Sequence, residues 1–165
     1  MSGGTAPGPS AGPGAAPDRA PAMTMPRTDP QVDLTAVERM IRDDVASAAL
    51  GMEVTELRLG AATVTMPVTE QMLQGHATCH GGYIFTVADT AFACACNSHG
   101  PVTVAASVQI HYIAPAHAGD LLTATARETS RWGRNGLYDV EVHNDRGILI
   151  AQFRGTSRTI ERRDS

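Results

Sequence analysis

Apolar residues recur along this chain with two different periods, and the switches between them mark out its elements. Val37, Met40, Ile41 and Val45 fall at helical spacing after Asp33, a residue type that caps helices, and Gly51 is suited to end the run. This pattern predicts one helix of about four turns. Residues 52–59 and 62–68 read as two short strands joined at the Gly60 turn. Between His80 and Ser98 the pattern changes in kind. Ile84, Phe85, Val87, Ala88, Ala91, Phe92, Ala93, Ala95 and Cys96 leave almost no polar face, so this helix is expected to be buried on most sides. Four strand candidates follow at 102–113, 121–129, 137–143 and 148–158. Alternation is clearest where Tyr138, Val140 and Val142 interleave with Asp139, Glu141 and His143. The links Gly119-Asp120, Arg134-Asn135-Gly136 and Asn144-Asp145-Arg146-Gly147 carry turn chemistry, so the strands are expected to form an antiparallel sheet through hairpins. The class is α+β, with the sheet curved around one buried helix.

Residues 1–30 are dominated by Gly, Ala and Pro and show no apolar period. Such a segment cannot offset its ordering entropy, and it is expected to be a disordered tail outside a single domain spanning 31–160. The formal net charge is −4, so no overall basic field favours nucleic acid, although a local row of N–H groups or arginines can still hold an anion. The cysteines are three in number, and Cys94 and Cys96 diverge on a helix, which argues against a disulfide framework. No apolar run reaches the ~18 residues that a membrane helix needs, and no secretory leader pattern opens the chain. A cytoplasmic protein is expected.

The chemistry concentrates where Gln74-Gly75-His76-Ala77-Thr78-Cys79-His80-Gly81-Gly82 runs into the apolar helix. Glycines are poor helix formers. Their presence at a helix start either serves a tight turn or leaves first-turn N–H groups bare, so that a carbonyl oxygen can approach the positive end of the helix dipole and be held as an oxyanion. Asp89 lies on the stripe Phe85, Asp89, Phe92, Cys96 of a helix with almost no other ionisable group. A carboxylate there either finds a hydrogen-bond partner, such as Thr90 or a strand amide, or suffers a raised pKa. Asp89 stands eight residues past Gly81, which at helical rise is about 12 Å. One helix cannot bring both to one carbonyl. If both act, the Asp89 at each site comes from a second copy whose helix runs antiparallel, and a two-fold dimer holds two composite sites.

Other candidates carry less. His76 and His80 flank Cys79, but the spacing of a metal or haem site would need a second cysteine, and no metal is expected. Cys79 reads as a small buried thiol, and His80 as a residue that positions the loop or the thioester. Asp43 and Asp44 stand beside small residues of the first helix, within conceivable reach of a site. Arg131, Arg134 and Arg154 are candidate phosphate partners.

The residues His76, Cys79-His80-Gly81-Gly82-Tyr83-Ile84-Phe85, Ala88-Asp89-Thr90-Ala91-Phe92-Ala93 and Ala95-Cys96-Asn97-Ser98 resemble the hotdog-fold thioesterases of phenylacetic acid degradation, the PaaI type. The resemblance extends over about residues 40–158 and takes in Gly119-Asp120-Leu121-Leu122-Thr123-Ala124 and Phe153-Arg154-Gly155. It implies a central helix wrapped by an antiparallel sheet, dimers paired into a tetramer, and hydrolysis of phenylacetyl-CoA or ring-hydroxylated relatives without a metal or organic cofactor. By position it implies Asp89 as the catalytic carboxylate, Gly81 or Gly82 as oxyanion donor, and His80 and Thr90 as supporting groups. Relatives often carry an Asn in the first helix, where this chain has Asp43. Two rivals remain: a hotdog enoyl-CoA hydratase, which commonly has a His a few residues after its Asp, as this chain does not, and a non-catalytic acyl-CoA sensor, which has no use for Asp89.

Overall fold

The apolar run that reads as one helix folds as two. Helix α1 (Thr35–Asp43) buries Val37 and Ile41, and it stops where Asp44 leaves helical conformation at φ −81°, ψ 83°. Asp44 then caps α2 (Val45–Ala49). Its carboxylate accepts hydrogen bonds from the Ser47 N–H at 2.9 Å and the Ser47 hydroxyl at 2.6 Å. An aspartate three residues ahead of a serine satisfies first-turn donors, and this local chemistry overrides the apolar period. The computed structural model of the chain describes Met23, Arg27–Thr28 and residues 34–160, so the Asp33 cap expected for α1 lies outside the described residues.

Strand β1 (Arg27–Thr28) falls within the stretch expected to stay out of the fold. It pairs parallel with β2 (Glu53–Arg58), and Met23 belongs to the core. The folded unit therefore begins upstream of residue 30. Strand β2 forms the expected hairpin with β3 (Ala61–Pro67), and a short 3-10 turn at Glu70–Met72 leads towards α3 (Gly81–Asn97). Strands β4 (Thr103–Tyr112), β5 (Leu121–Trp132), β6 (Asn135–His143) and β7 (Leu149–Thr159) complete the sheet, in the order β1-β2-β3-β5-β6-β7-β4. Every pairing except β1 with β2 is antiparallel.

Two links differ from the sequence expectation. The β5–β6 turn is Gly133-Arg134, with Gly133 at φ 54°, so Asn135 and Gly136 are strand residues and not turn residues. A Cβ at Gly136 would come within 2.7 Å of the Tyr138 ring, and packing accounts for that glycine. Nor does Gly119-Asp120 close a hairpin, because β4 lies at the sheet edge against β7 and residues 113–120 carry the chain across to β5. The Ile113 and Ala114 N–H groups both donate to the Ile150 carbonyl. The buried Asp120 carboxylate then accepts from the His117 N–H at 3.0 Å and pairs with Arg146 at 3.0 Å, fixing the crossing. Burial and these contacts shift the Asp120 carboxyl in opposite senses; the net direction is down, favouring the charged form.

Alternate residues of the strands face α3: Val64 and Met66, then Leu122, Ala124 and Ala126, then Val140 and Val142, all buried. Small alanines on β5 let the helix lie close. Phe92 anchors the centre, its ring 5.4 Å from Tyr138 and 5.7 Å from Phe153 between centroids. Gly155 lies beneath those rings, where a Cβ would come 2.9 Å from both Phe92 and Phe153. Gly155→Ala is expected to destabilise the fold by about 1 to 3 kcal/mol through overpacking, measurable as a lower urea midpoint at unchanged m-value.

Candidate active site

The chain folds back on itself immediately before α3. Leu73 and Cys79 form an antiparallel bridge, and the Gln74 N–H donates to the Thr78 carbonyl at 2.9 Å. The Gln74 side chain stiffens the reversal. Its amide donates to Thr78 Oγ1 at 2.7 Å and its oxygen accepts from the His76 N–H at 2.8 Å. This places Ala77 at φ 59°, a left-handed conformation that costs a residue with a Cβ roughly 1 to 2 kcal/mol. Two further bonds pin the loop: the Cys79 N–H donates to the Ala116 carbonyl and the His80 N–H to the Met72 carbonyl, each at 2.8 Å. His76 is exposed on the outside of the turn. Cys79 is buried, and burial first, with Asp120 second, pushes its thiol up to about 11. It is a protonated packing residue and not a nucleophile.

His80 is the N-cap of α3, and its Nδ1 accepts a hydrogen bond from the Gly82 N–H at 3.0 Å. A ring nitrogen that accepts carries no hydrogen of its own, so Nε2 is the ring position left to donate. Gly82 is thereby engaged. The Gly81 N–H has no partner among the described residues, which leaves it as the free donor of the first turn. The carbonyl of Gly81 accepts from the Tyr112 hydroxyl at 3.0 Å, and a Cβ on Gly81 would meet the Tyr112 ring at 3.0 Å. A groove of about 360 Å³ opens at this point, bordered by Cys79, Gly81, Ile84, Tyr112, Ala114 and Pro115.

Farther along α3, Asp89 is half-buried and accepts no hydrogen bond from any described residue. Desolvation holds its carboxyl above the ordinary range. It lies on the same side of α3 as Phe92 and Cys96, three and seven residues on, as the sequence suggested; those two are buried, and Asp89 stands at the margin where exposure begins. Its neighbours are Gly82, Phe85, Thr86 and Ala93, a strip of α3 that the sheet leaves uncovered. Thr90 does not satisfy it. The Thr90 hydroxyl lies 3.0 Å from Ser47 Oγ, and Ser47 gives its own proton to Asp44. Thr90 therefore donates to Ser47.

The Thioesterase superfamily model matches residues 76–151, a span that opens in the loop before α3 and includes both Gly81 and Asp89. Acyl-coenzyme A thioesterase PaaI of Escherichia coli is 46% identical over 121 residues, covering 73% of this chain and 86% of that one. The chain belongs to the thioesterase superfamily. The solved structure of the E. coli PaaI protein, from the phenylacetic acid degradation operon, superposes with a TM-score of 0.75 at 44% identity, over 76% of this chain and 91% of that one. A Streptococcus mutans protein bound to acetyl-CoA matches with a TM-score of 0.65 at 26% identity, over 68% and 91% of the two chains. The fold is the hotdog fold, and the reaction class of the superfamily is thioester hydrolysis.

Within this thioesterase frame the remaining sequence candidates separate. Asp43 ends α1 exposed, whereas Asp44 reaches α3 through Ser47 and Thr90. Arg154 forms a two-pronged ion pair with Asp139, both bonds 2.6 Å, on the sheet face turned away from α3. Arg131 lies 2.9 Å from His99 Nδ1 beyond the C-terminal end of α3, in a cluster where Glu128 also accepts from Tyr138 at 2.7 Å. Arg134 is an exposed residue of the β5–β6 turn. None of the three arginines borders the groove at Gly81. Sequence reasoning gave no role to Gln74, Ser47 or Tyr112. Ser47 had a readable signal in the Asp-x-x-Ser cap, but Tyr112, 31 residues from Gly81, had none.

Proposed function

We propose that this chain hydrolyses phenylacetyl-CoA, or a ring-hydroxylated aryl-acetyl-CoA, to the free acid and CoA, in the cytoplasm, at two composite sites of a homodimer. One observation carries the reading: Asp89 has no hydrogen-bond partner among the described residues and lies on a partly exposed strip of α3, a helix whose tip holds the Gly81 N–H, itself without a partner among those residues. The edge strand supports it. Strand β4 is largely exposed along its length, with Val104 at 44% and Tyr112 at 53%, and a long apolar edge calls for a pairing partner. A second copy adding β4 to β4 about a two-fold axis lays the two α3 helices antiparallel and covers that strip.

In such a site the Gly81 N–H of one protomer holds the thioester oxygen as negative charge develops on it. Asp89 of the other protomer either removes a proton from water, whose oxygen attacks the carbonyl carbon, or attacks that carbon itself. The C–S bond then breaks, and the CoA thiolate leaves and takes up a proton. In the direct-attack route a water subsequently opens the mixed anhydride. The operon of the E. coli relative supports the aryl-acetyl choice, while that relative's name and the acetyl-CoA held by the S. mutans protein support an acyl-CoA as the ligand.

A panel of aryl- and alkyl-CoA thioesters assayed for free thiol, run beside size-exclusion chromatography, tests this. Fastest release from aryl-acetyl-CoA by a species eluting as a dimer, or as the tetramer the family resemblance implies, is expected. Binding of CoA thioesters without thiol release would favour the sensor reading, and full turnover by a monomer would remove the composite site.

A further inference from the structure

We propose that Tyr112 is a positioning residue for the oxyanion donor: with His80 it locks the peptide plane between Gly81 and Gly82, which sets ψ of Gly81 and holds in place the first turn that presents the Gly81 N–H. The inference rests on the reading above that this N–H receives the thioester oxygen.

Two consecutive glycines in a helix's first turn are the weakest place to fix a donor. Glycine has the widest backbone freedom, and first-turn N–H groups have no partner within the helix. Both ends of this peptide are nevertheless gripped. The Tyr112 hydroxyl donates to the Gly81 oxygen at 3.0 Å, and the Gly82 N–H donates to His80 Nδ1 at 3.0 Å. Because a peptide unit is planar, holding its oxygen and its N–H sets the orientation of the whole plane and constrains ψ of Gly81; the Gly81 N–H itself lies in the preceding plane, whose His80 oxygen accepts from the Tyr83 N–H at 3.0 Å. The Tyr112 ring adds a third restraint, since three of its atoms lie 3.0 to 3.3 Å from where a Gly81 Cβ would be. Glycine at 81 is thus demanded by the ring that holds it. Tyr112 is itself anchored as the last residue of β4, paired with Ala151 of β7. Burial raises its hydroxyl pKa, which keeps the proton needed for donation.

Tyr112→Phe keeps the ring and removes only the donor. The expected result is a kcat lower by about 3- to 10-fold, the range for loss of one neutral hydrogen bond, with KM for the CoA thioester and the thermal midpoint unchanged. Amide exchange at Gly82, followed by NMR, is expected to quicken. Wild-type kcat in this variant, or a kcat that falls only in step with the thermal midpoint, would overturn the proposal. If the unaltered protein releases no thiol from any CoA thioester, the function proposed above fails. Gly82 exchange then decides the clamp alone: faster exchange in the variant upholds it, and unchanged exchange ends it.

Discussion

Asp89→Asn is expected to lower kcat by about 10²- to 10⁴-fold, the contribution of a positioned general base, while the oligomer elutes unchanged. The substitution keeps the side chain's shape and removes its charge. A stopped assay with phenylacetyl-CoA checks it, and a variant retaining wild-type turnover would take Asp89 out of the mechanism. The pH dependence has a definite sign. Desolvation raises the Asp89 pKa above the ordinary aspartate range, so the reactive carboxylate is lost, and kcat falls, at a higher pH than an ordinary aspartate would give. Stability runs the other way. A carboxyl whose folded pKa is raised stabilises the fold fully below the unfolded pKa, and that contribution is lost as pH rises through the folded pKa. At neutral pH the wild-type protein therefore holds an unfavourable charge that Asn lacks, and Asp89→Asn is expected to raise the thermal midpoint. Partial exposure of Asp89 screens the gain and keeps it small.

Mixing two dead variants is expected to restore activity. Gly81→Val places side-chain atoms where the Tyr112 ring lies and spoils the helix tip, while Asp89→Asn spoils the acid. Each homodimer has two broken sites. A heterodimer has one site with both lesions and one with neither, so an equal mixture that exchanges subunits freely regains about a quarter of wild-type turnover. Unfolding and refolding the two together, then measuring thiol release, gives the answer. Additive background activity alone would mean that Gly81 and Asp89 of the same chain serve each site, which the helix rise between them forbids, or that one of the two is not used.

Where the sequence was misread, a local pattern met a contact from far along the chain. Gly119-Asp120 looks like a hairpin turn, but β4 finds its partner in β7, nearly 40 positions on, and Asp120 ties the crossing to Arg146. Arg131 and Arg154, the candidate phosphate partners, have neighbours that no local pattern foretold: Glu128 and His99 beside the first and Asp139 beside the second. The single first helix fails for the opposite reason, because the Asp44 cap outweighs an apolar period that continues through it.

The apolar helix, the glycine pair at its start, the lone acid within it and the alternating strands are all properties of residues close in sequence. Periodicity and turn chemistry therefore determined the α+β class and the buried central helix, and set the condition that a second copy is needed if Gly81 and Asp89 are to act on one carbonyl. Which glycine offers a free N–H, which side chains hold it, and which strip of α3 stays uncovered were decided only by tertiary structure. His80 closes off Gly82 from two residues away, but Tyr112 arrives from the far edge of the sheet, and β4 ends at that edge through its pairing with β7. Contacts of that kind depend on strand order, and strand order has no period to read.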